Sequence, residues 1–352
     1  MTKKNICILA GARPNFVKIS PLIRAIEHAD GADYELIYAG RADDPTLEES
    51  LFRDLQMPAP TAYLGVDSTS LNEITSRVMA AFDNYLDTHK VDVVIVVDDL
   101  ASTMAAAIVT KKRGLKLAHL VAGTRSFDIQ MPKEINRLVI DALSDYLFTA
   151  GTKSNSVATR EQGEMSQTYM VGNILMDSLR FNHSRLQKPQ LDVEDAGYVV
   201  LTLNRKALLA DEGQMKKMLD AIVEVAGEVP VVAPLRSKAA EVVARLNPRI
   251  RVVNPLSYLE FGWLAAHAKG IITDSGNVAE EATFNSVPCI TLNSYTEHIE
   301  TVSVGSNVLV GGNVDLLKQM LTDILQGNWK KCALPDRWDG RTAERIVQIL
   351  IN

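Results

Sequence analysis

Gly270-Ile-Ile-Thr-Asp-Ser-Gly-Asn-Val-Ala-Glu-Glu-Ala-Thr-Phe284 opens on a short apolar run, stops at a small polar turn and then takes on helical character. The run Ile271-Ile272 ends at Thr273 to Asn277, and Glu280 and Glu281 follow. Backbone N–H groups at a strand-to-helix turn form an anion site. A carboxylate one turn into the helix reaches a sugar hydroxyl, as the acidic residue of a dinucleotide site reaches a ribose. The stretch alone allows two readings. One is a nucleotide or nucleotide-sugar site built on Ser275, Gly276, Asn277 and Glu281. The other is a helix with an Asp/Ser cap and helix-favouring glutamates.

Outward from this turn, apolar strand candidates alternate with helical patterns along the whole chain. Strands are expected at 5–10, 34–39, 91–97, 116–121 and 146–150, then at 198–203, 229–235, 250–254, 270–273 and 288–292. Helical segments lie between them, for example 71–88, 103–112, 134–145, 212–225 and 259–268. Such alternation means parallel sheets covered on both faces. A polar stretch with Pro189 at 181–197 separates the halves. The expected fold class is therefore α/β: two doubly wound, Rossmann-like domains, with ligand in the cleft between the carboxyl ends of their strands. The expected boundaries are 1–178, joined by a C-terminal helix at about 340–352, and 179–339.

Composition narrows the function. A chain of 352 residues suits two domains. Its 37 basic and 43 acidic side chains give a net charge of −6, against a nucleic-acid partner. No apolar run approaches the ~20 residues of a membrane helix. The N-terminus shows no signal-peptide pattern, so a cytoplasmic location is expected. Cys7, Cys289 and Cys332 form no C-x-x-C pair, and the first two sit in apolar runs as free buried thiols. There is no G-x-x-x-x-G-K-[ST] loop, no G-x-G-x-x-G and no G-x-S-x-G. The six histidines are dispersed without metal-ligand spacing, and His119, inside an apolar strand, reads as a core residue. No metal and no cofactor are expected.

Charged residues recur just past the strands. Arg13 and Lys18 follow the first, Asp98-Asp99 the third and Arg125 the fourth. Arg205 and Lys206 follow one strand of the second half, and Arg236 and Lys238 another. For any one of these a solvated loop charge is the simple reading; their recurrence on the ligand face suits a diphosphate held without a metal.

Several motifs occur in a fixed order: Gly11-Ala-Arg-Pro-Asn-Phe-Val-Lys18, Ala122-Gly-Thr-Arg-Ser126, Pro132-Lys-Glu-Ile-Asn-Arg137, Val171-Gly-Asn173 and Pro255-Leu-Ser-Tyr-Leu-Glu-Phe261. The 270–284 turn, Tyr295-Thr-Glu297, Gly305-Ser-Asn-Val-Leu-Val-Gly311 and Trp338-Asp-Gly-Arg-Thr-Ala-Glu-Arg345 continue them. Together they resemble the non-hydrolysing UDP-N-acetylglucosamine 2-epimerases, of the two-domain glycosyltransferase-B (GT-B) architecture, over nearly the whole chain. The resemblance implies that UDP or a UDP-HexNAc lies mainly on the second domain. Phe261 would border the uracil, Ser275 and Gly276 would hold phosphate, and Glu281 would hold the ribose hydroxyls. Arg13 would contribute from the first domain with Lys18 nearby, and a homodimer is implied. The implied reaction is anti elimination of UDP to a 2-acetamidoglucal and re-addition on the other face, which needs a base at C2 and an acid or cation at the leaving phosphate.

The acid/base set departs from the pattern. The family's G-D after the third strand is Asp98-Asp99, which keeps the carboxylate at Asp99. Its E-A-G glutamate is Val121, the first glutamate of P-E-E is Lys133, the T-x-H-R histidine is Asn204, and Gln-His of G-Q-H is Arg41-Ala42. Asn204 hydrogen-bonds but transfers no proton near neutral pH. Three readings follow: an isomerase of a UDP-HexNAc using Asp99 with a recruited Lys133 or Glu134, a nucleotide-sugar-binding paralogue with low or absent classical activity, or a GT-B glycosyltransferase.

Overall fold

A computed structural model describes residues 3–195 and 197–352. The chain forms two compact units: residues up to Phe181 with Asp336–Asn352, and Asn182–Pro335.

The first unit carries strands β1 (Lys4–Ala10), β2 (Ala32–Tyr38), β3 (Ala62–Tyr63), β4 (Val93–Val97), β5 (Lys116–Ala122), β6 (Tyr146–Thr149) and β7 (Gln167–Met170). They form one sheet in the order β3-β2-β1-β4-β5-β6-β7, and every pairing is parallel. The second unit carries β8 (Val199–Thr202), β9 (Val231–Pro234), β10 (Arg251–Val253), β11 (Gly270–Thr273), β12 (Cys289–Thr291) and β13 (Asn307–Leu309). Their order is β10-β9-β8-β11-β12-β13, again parallel. Both sheets are thus doubly wound, each with a switch point: between β1 and β4 in the first, and between β8 and β11 in the second.

The continuous apolar runs follow from burial on both faces. In and beside β8, Val199 and Leu201 enter one core with Ile272 and Ile290, while Tyr198 and Val200 enter the other with Ile271 and Cys289. A side-chain period of two therefore leaves no polar alternation. Three strands escape the sequence reading: β3, β7 and β13. Each is short, and β3, β7 and β13 lie at the sheet edges, where half-exposed residues such as Tyr63, Thr168 and Val308 weaken the apolar signal.

The last helix, Thr342–Ile351, packs on the Arg13–Glu27 helix of the same unit. Asp177 caps it by accepting the N–H groups of Ala343 at 2.8 Å and Thr342 at 3.1 Å. Trp338, buried, donates its indole N–H to the Ala150 carbonyl at 3.1 Å. Cys7 and Cys289 are free and buried, and burial pushes the Cys289 thiol up to about 12. Among the described residues no helix is long and apolar enough to cross a membrane, and no side-chain cluster has the make-up of a metal site.

Candidate functional site

In each unit the expected site residues flank the switch point, but the two sets are used differently. In the first unit, Asn15 turns back over the start of its helix and accepts the N–H groups of Gly11 at 2.9 Å and Ala12 at 3.2 Å. Its amide donates to Asp98 Oδ2 at 2.8 Å, and Lys18 ion-pairs with Asp98 Oδ1 at 2.5 Å. Asp98 stands in the left-handed region at φ 61°, where a short polar side chain is tolerated. The Asp98 carboxylate therefore neutralises Lys18. Arg13 begins the same helix and is half-buried.

Asp99 is enclosed by cations. Arg137 donates to its Oδ2 from Nε at 2.8 Å and from the guanidinium terminus at 2.6 Å, and Lys133 Nζ lies 3.1 Å from Oδ1. Burial raises the Asp99 carboxyl, but Lys133 and Arg137 outweigh it and hold the group below the usual carboxylate range. Glu134 is 2 % exposed and serves the preceding loop. It accepts the Ser126 N–H at 2.8 Å, the Ser126 hydroxyl at 2.9 Å, the Phe127 N–H at 3.0 Å and Arg137 at 3.0 Å. Burial raises this carboxyl too, yet the bonds from Ser126, Phe127 and Arg137 set it below its ordinary value. Neither carboxylate is arranged to take up a proton. Lys133 is 58 % exposed and paired to Asp99, which is not the desolvated setting in which a lysine becomes a base.

Arg125, read from the sequence as a phosphate ligand, points inward. Its side chain is 2 % exposed, 2.7 Å from Asp141 and 2.6 Å from Glu161. Asp141 also holds His119 Nδ1 at 2.5 Å, and His119 Nε2 reaches the Asp98 carbonyl at 3.0 Å. This buried chain braces the turn after β4. Val121 occupies a register shift between β5 and β6 at φ 74°, strained for a β-branched residue.

In the second unit the switch-point loops are tied together by Asp274, which the sequence reading took only as a possible cap. Its Oδ2 accepts the N–H groups of Asn204 and Arg205, both at 2.7 Å. Its carbonyl accepts Arg205 Nε at 3.0 Å and the Asn293 amide at 3.1 Å. The Asn204 side chain is left exposed with no partner among the described residues, and Arg205 extends toward the Tyr295 ring at 5.8 Å. Arg236 is exposed at the start of the Ser237–Leu246 helix. Phe261 packs, partly buried, on the core that holds Val278 and Ala279.

Ser275 is the N-cap of the Gly276–Phe284 helix, but its hydroxyl makes no cap bond. The first-turn amides are thus left for something other than this side chain. One turn on, Glu281 is half-buried with no hydrogen-bond partner among the described residues. Burial, then the neighbouring Glu280, push its carboxyl up to about 8. Near neutral pH it can both donate to and accept from a hydroxyl pair.

The family model for UDP-N-acetylglucosamine 2-epimerase matches residues 24–351. The chain belongs to this family. A UDP-N-acetylglucosamine 2-epimerase of Methanocaldococcus jannaschii is 34 % identical, with 98 % of each chain covered. A UDP-2,3-diacetamido-2,3-dideoxy-D-glucuronate 2-epimerase of Pseudomonas aeruginosa is 32 % identical over 89 % of this chain and 90 % of that one. A crystal structure of the M. jannaschii enzyme in complex with UDP-GlcNAc and UDP matches with a TM-score of 0.87 at 32 % identity, covering 98 % of this chain and 99 % of that one.

Proposed function

We propose that this chain binds a UDP-HexNAc through the turn after β11, and that its turnover by the 2-epimerase route is low or absent. The observation that carries the binding half is the start of the Gly276–Phe284 helix, where Ser275 makes no side-chain cap bond, with the Glu281 carboxyl about one turn away and without a hydrogen-bond partner among the described residues. The amides and Ser275 suit a diphosphate. Glu281 suits the vicinal hydroxyls of the ribose, Phe261 the uracil, and Asn277, Arg205 and Arg236 are the further polar groups read for the phosphates and sugar. The named substrates of the two relatives share UDP and an acetamido substituent on the sugar, which supports a UDP-HexNAc as the ligand class.

The chemical half follows from what each group can do. C2 epimerisation removes and returns a proton at carbon while UDP leaves and re-adds. Val121 has no ionisable group, and the Asn204 amide is neither an acid nor a base near neutral pH. Lys133 and Arg137 hold the Asp99 carboxyl, and Ser126, Phe127 and Arg137 the Glu134 carboxyl, below their ordinary range, and Lys133 is exposed and paired to Asp99.

The test is incubation with UDP-GlcNAc in D2O, read for deuterium at C2 and for released UDP, with UDP titrated by calorimetry. Measurable UDP binding without either chemical signal is the expected result. Rapid C2 exchange refutes the chemical half, and absence of UDP binding refutes the whole reading.

A further inference from the structure

Three helix faces of the first unit meet without closing. The Arg13–Glu27 helix and the turn after it contribute Pro21, Ala25 and Ala29, the Ile174–Asn182 helix contributes Phe181, and the last helix, Thr342–Ile351, contributes Val347 and Ile351. Within the first and last helices these residues recur at helical spacing, so each helix offers one apolar stripe. Between the stripes runs a groove of about 770 Å3, the size of a small-molecule site and far above the water-sized voids of a packed interior. Ala25, Ala343 and Gly340 keep it open, since larger side chains there would fill it. Pro21 to His28 covers about 10 Å of helix, the reach of a medium-length acyl chain. Every lining residue belongs to this one unit.

The rim of the groove is basic. Arg24 lies with its guanidinium 3.7 Å from the centroid of the Phe181 ring and donates to the Leu55 carbonyl at 2.9 Å. Arg180, exposed, crosses the turn at Gly340 and donates to the Asp339 carbonyl at 2.6 Å. Gly340 stands at φ 72°, and a Cβ there would come 2.7 Å from Arg180 Cδ, so glycine lets the arginine stem lie across the turn. The two acids that line the groove are engaged elsewhere. Asp177 accepts the Thr342 and Ala343 N–H groups, and Glu344 pairs with Arg341 at 2.9 Å. In a chain of net charge −6, an aliphatic trough edged by two guanidinium groups suits an anionic head on an apolar tail. We propose that this groove binds a free medium-chain fatty acid, with its carboxylate on Arg180 beside the charge of Arg24 and its tail along Pro21, Ala25 and Val347. The site is separate from the nucleotide turn, whose residues lie in the second unit.

Octanoate, octanol and acetate are titrated by calorimetry into the full chain and into Arg180→Ala, Arg180→Lys and Ala25→Phe. Octanoate is expected to bind about tenfold or more tightly than octanol, the effect of one charge-assisted hydrogen bond, and acetate to give no binding heat. Arg180→Ala is expected to bring octanoate down to the affinity of octanol and to leave octanol unchanged. Arg180→Lys, which keeps the charge without the fork, is expected to fall between. Ala25→Phe, shown folded by circular dichroism, is expected to lose both ligands. Hydrogen exchange on the unmodified chain reads the same site without a variant: octanoate should slow the amides of Thr342–Ile351 and of the Arg13–Glu27 helix. Octanoate that fails to bind, that binds no better than octanol, or that binds Ala25→Phe undiminished overturns the proposal. So does octanoate affinity unchanged in Arg180→Ala, or protection confined to other parts of the chain. Binding to phosphatidylglycerol vesicles with none to octanoate would make this face a membrane contact and overturn it as well.

Discussion

At the switch point of the first sheet, Lys18 faces Asp98, Asp99 faces Lys133 and Arg137, and Glu134 faces Ser126, Phe127 and Arg137. At the switch point of the second, Ser275 caps nothing and Glu281 meets no partner among the described residues. The two faces have the same topology and opposite states of satisfaction. A buried polar group that is fully hydrogen-bonded holds the fold; one left without a protein partner is costly unless a ligand supplies it. Charges at equivalent places in two sheets thus do different work: the first set braces its own loops, while at the second the Ser275 hydroxyl makes no cap bond and the Glu281 carboxyl meets no partner among the described residues, as the proposed nucleotide site requires.

The comparison breaks most visibly at Arg137, buried between Asp99 and Glu134. Arg137→Ala leaves buried Glu134 without its cation and Asp99 with only the exposed Lys133, and is expected to lower unfolding free energy by about 3–5 kcal/mol. UDP affinity of the folded fraction should be unchanged. Denaturant melts with calorimetry check both, and a stable variant that has lost UDP would reverse the assignment of this face. The second face should behave in the opposite way. Ser275→Ala and Glu281→Ala are each expected to weaken UDP by about 1–3 kcal/mol, with little change in melting temperature for Ser275→Ala, and for Glu281→Ala little change at about pH 5, where its carboxyl is protonated. Loss of stability without loss of affinity would make the turn a helix cap only.

Glu281 also sharpens the contrast through pH. Its carboxyl rises from an ordinary value of 4.5 to about 8 in the folded chain. The folded state therefore binds the proton more tightly than the unfolded one. The associated stability is fully present below pH 4.5 and is lost as pH rises toward 8. Glu281→Gln should remove this slope, so its advantage over the unmodified chain grows between pH 5 and 8 and then levels off. Asp177, pushed by burial to about 6, titrates with the same sign in both proteins and cancels in the difference. Parallel stability curves for the two would contradict the raised carboxyl. The smallest effect is expected at Val121, whose φ of 74° suits glycine. Val121→Gly should stabilise by about 1 kcal/mol or less, strain relief being partly offset by chain entropy. Chemical denaturation measures it.

Much of this was legible in the sequence. Strands such as β4, Val-Val-Ile-Val-Val, are buried on both faces and could only be read one way. Ser275, Gly276 and Glu281 were legible because the turn, the helix start and the carboxylate are local features. The pairing of Lys18, Arg125 and Glu134 was not, because their partners come from elsewhere in the fold. Asp98 lies 80 residues from Lys18, and Glu161 lies 36 from Arg125. Nor does a residue type announce a left-handed backbone at Asp98 or Val121, where glycine would. Arg137 stood inside a quoted motif, yet nothing in its spacing marked it as the cation shared by two carboxylates.

The most direct test is a saturation-transfer proton experiment on UDP-GlcNAc mixed with the full chain in D2O. The uracil and ribose protons should receive saturation from the protein while the C2 proton of the sugar keeps its intensity over hours. Loss of the C2 proton at enzyme-like rates would contradict the account, and so would the absence of any transfer to the uridine protons.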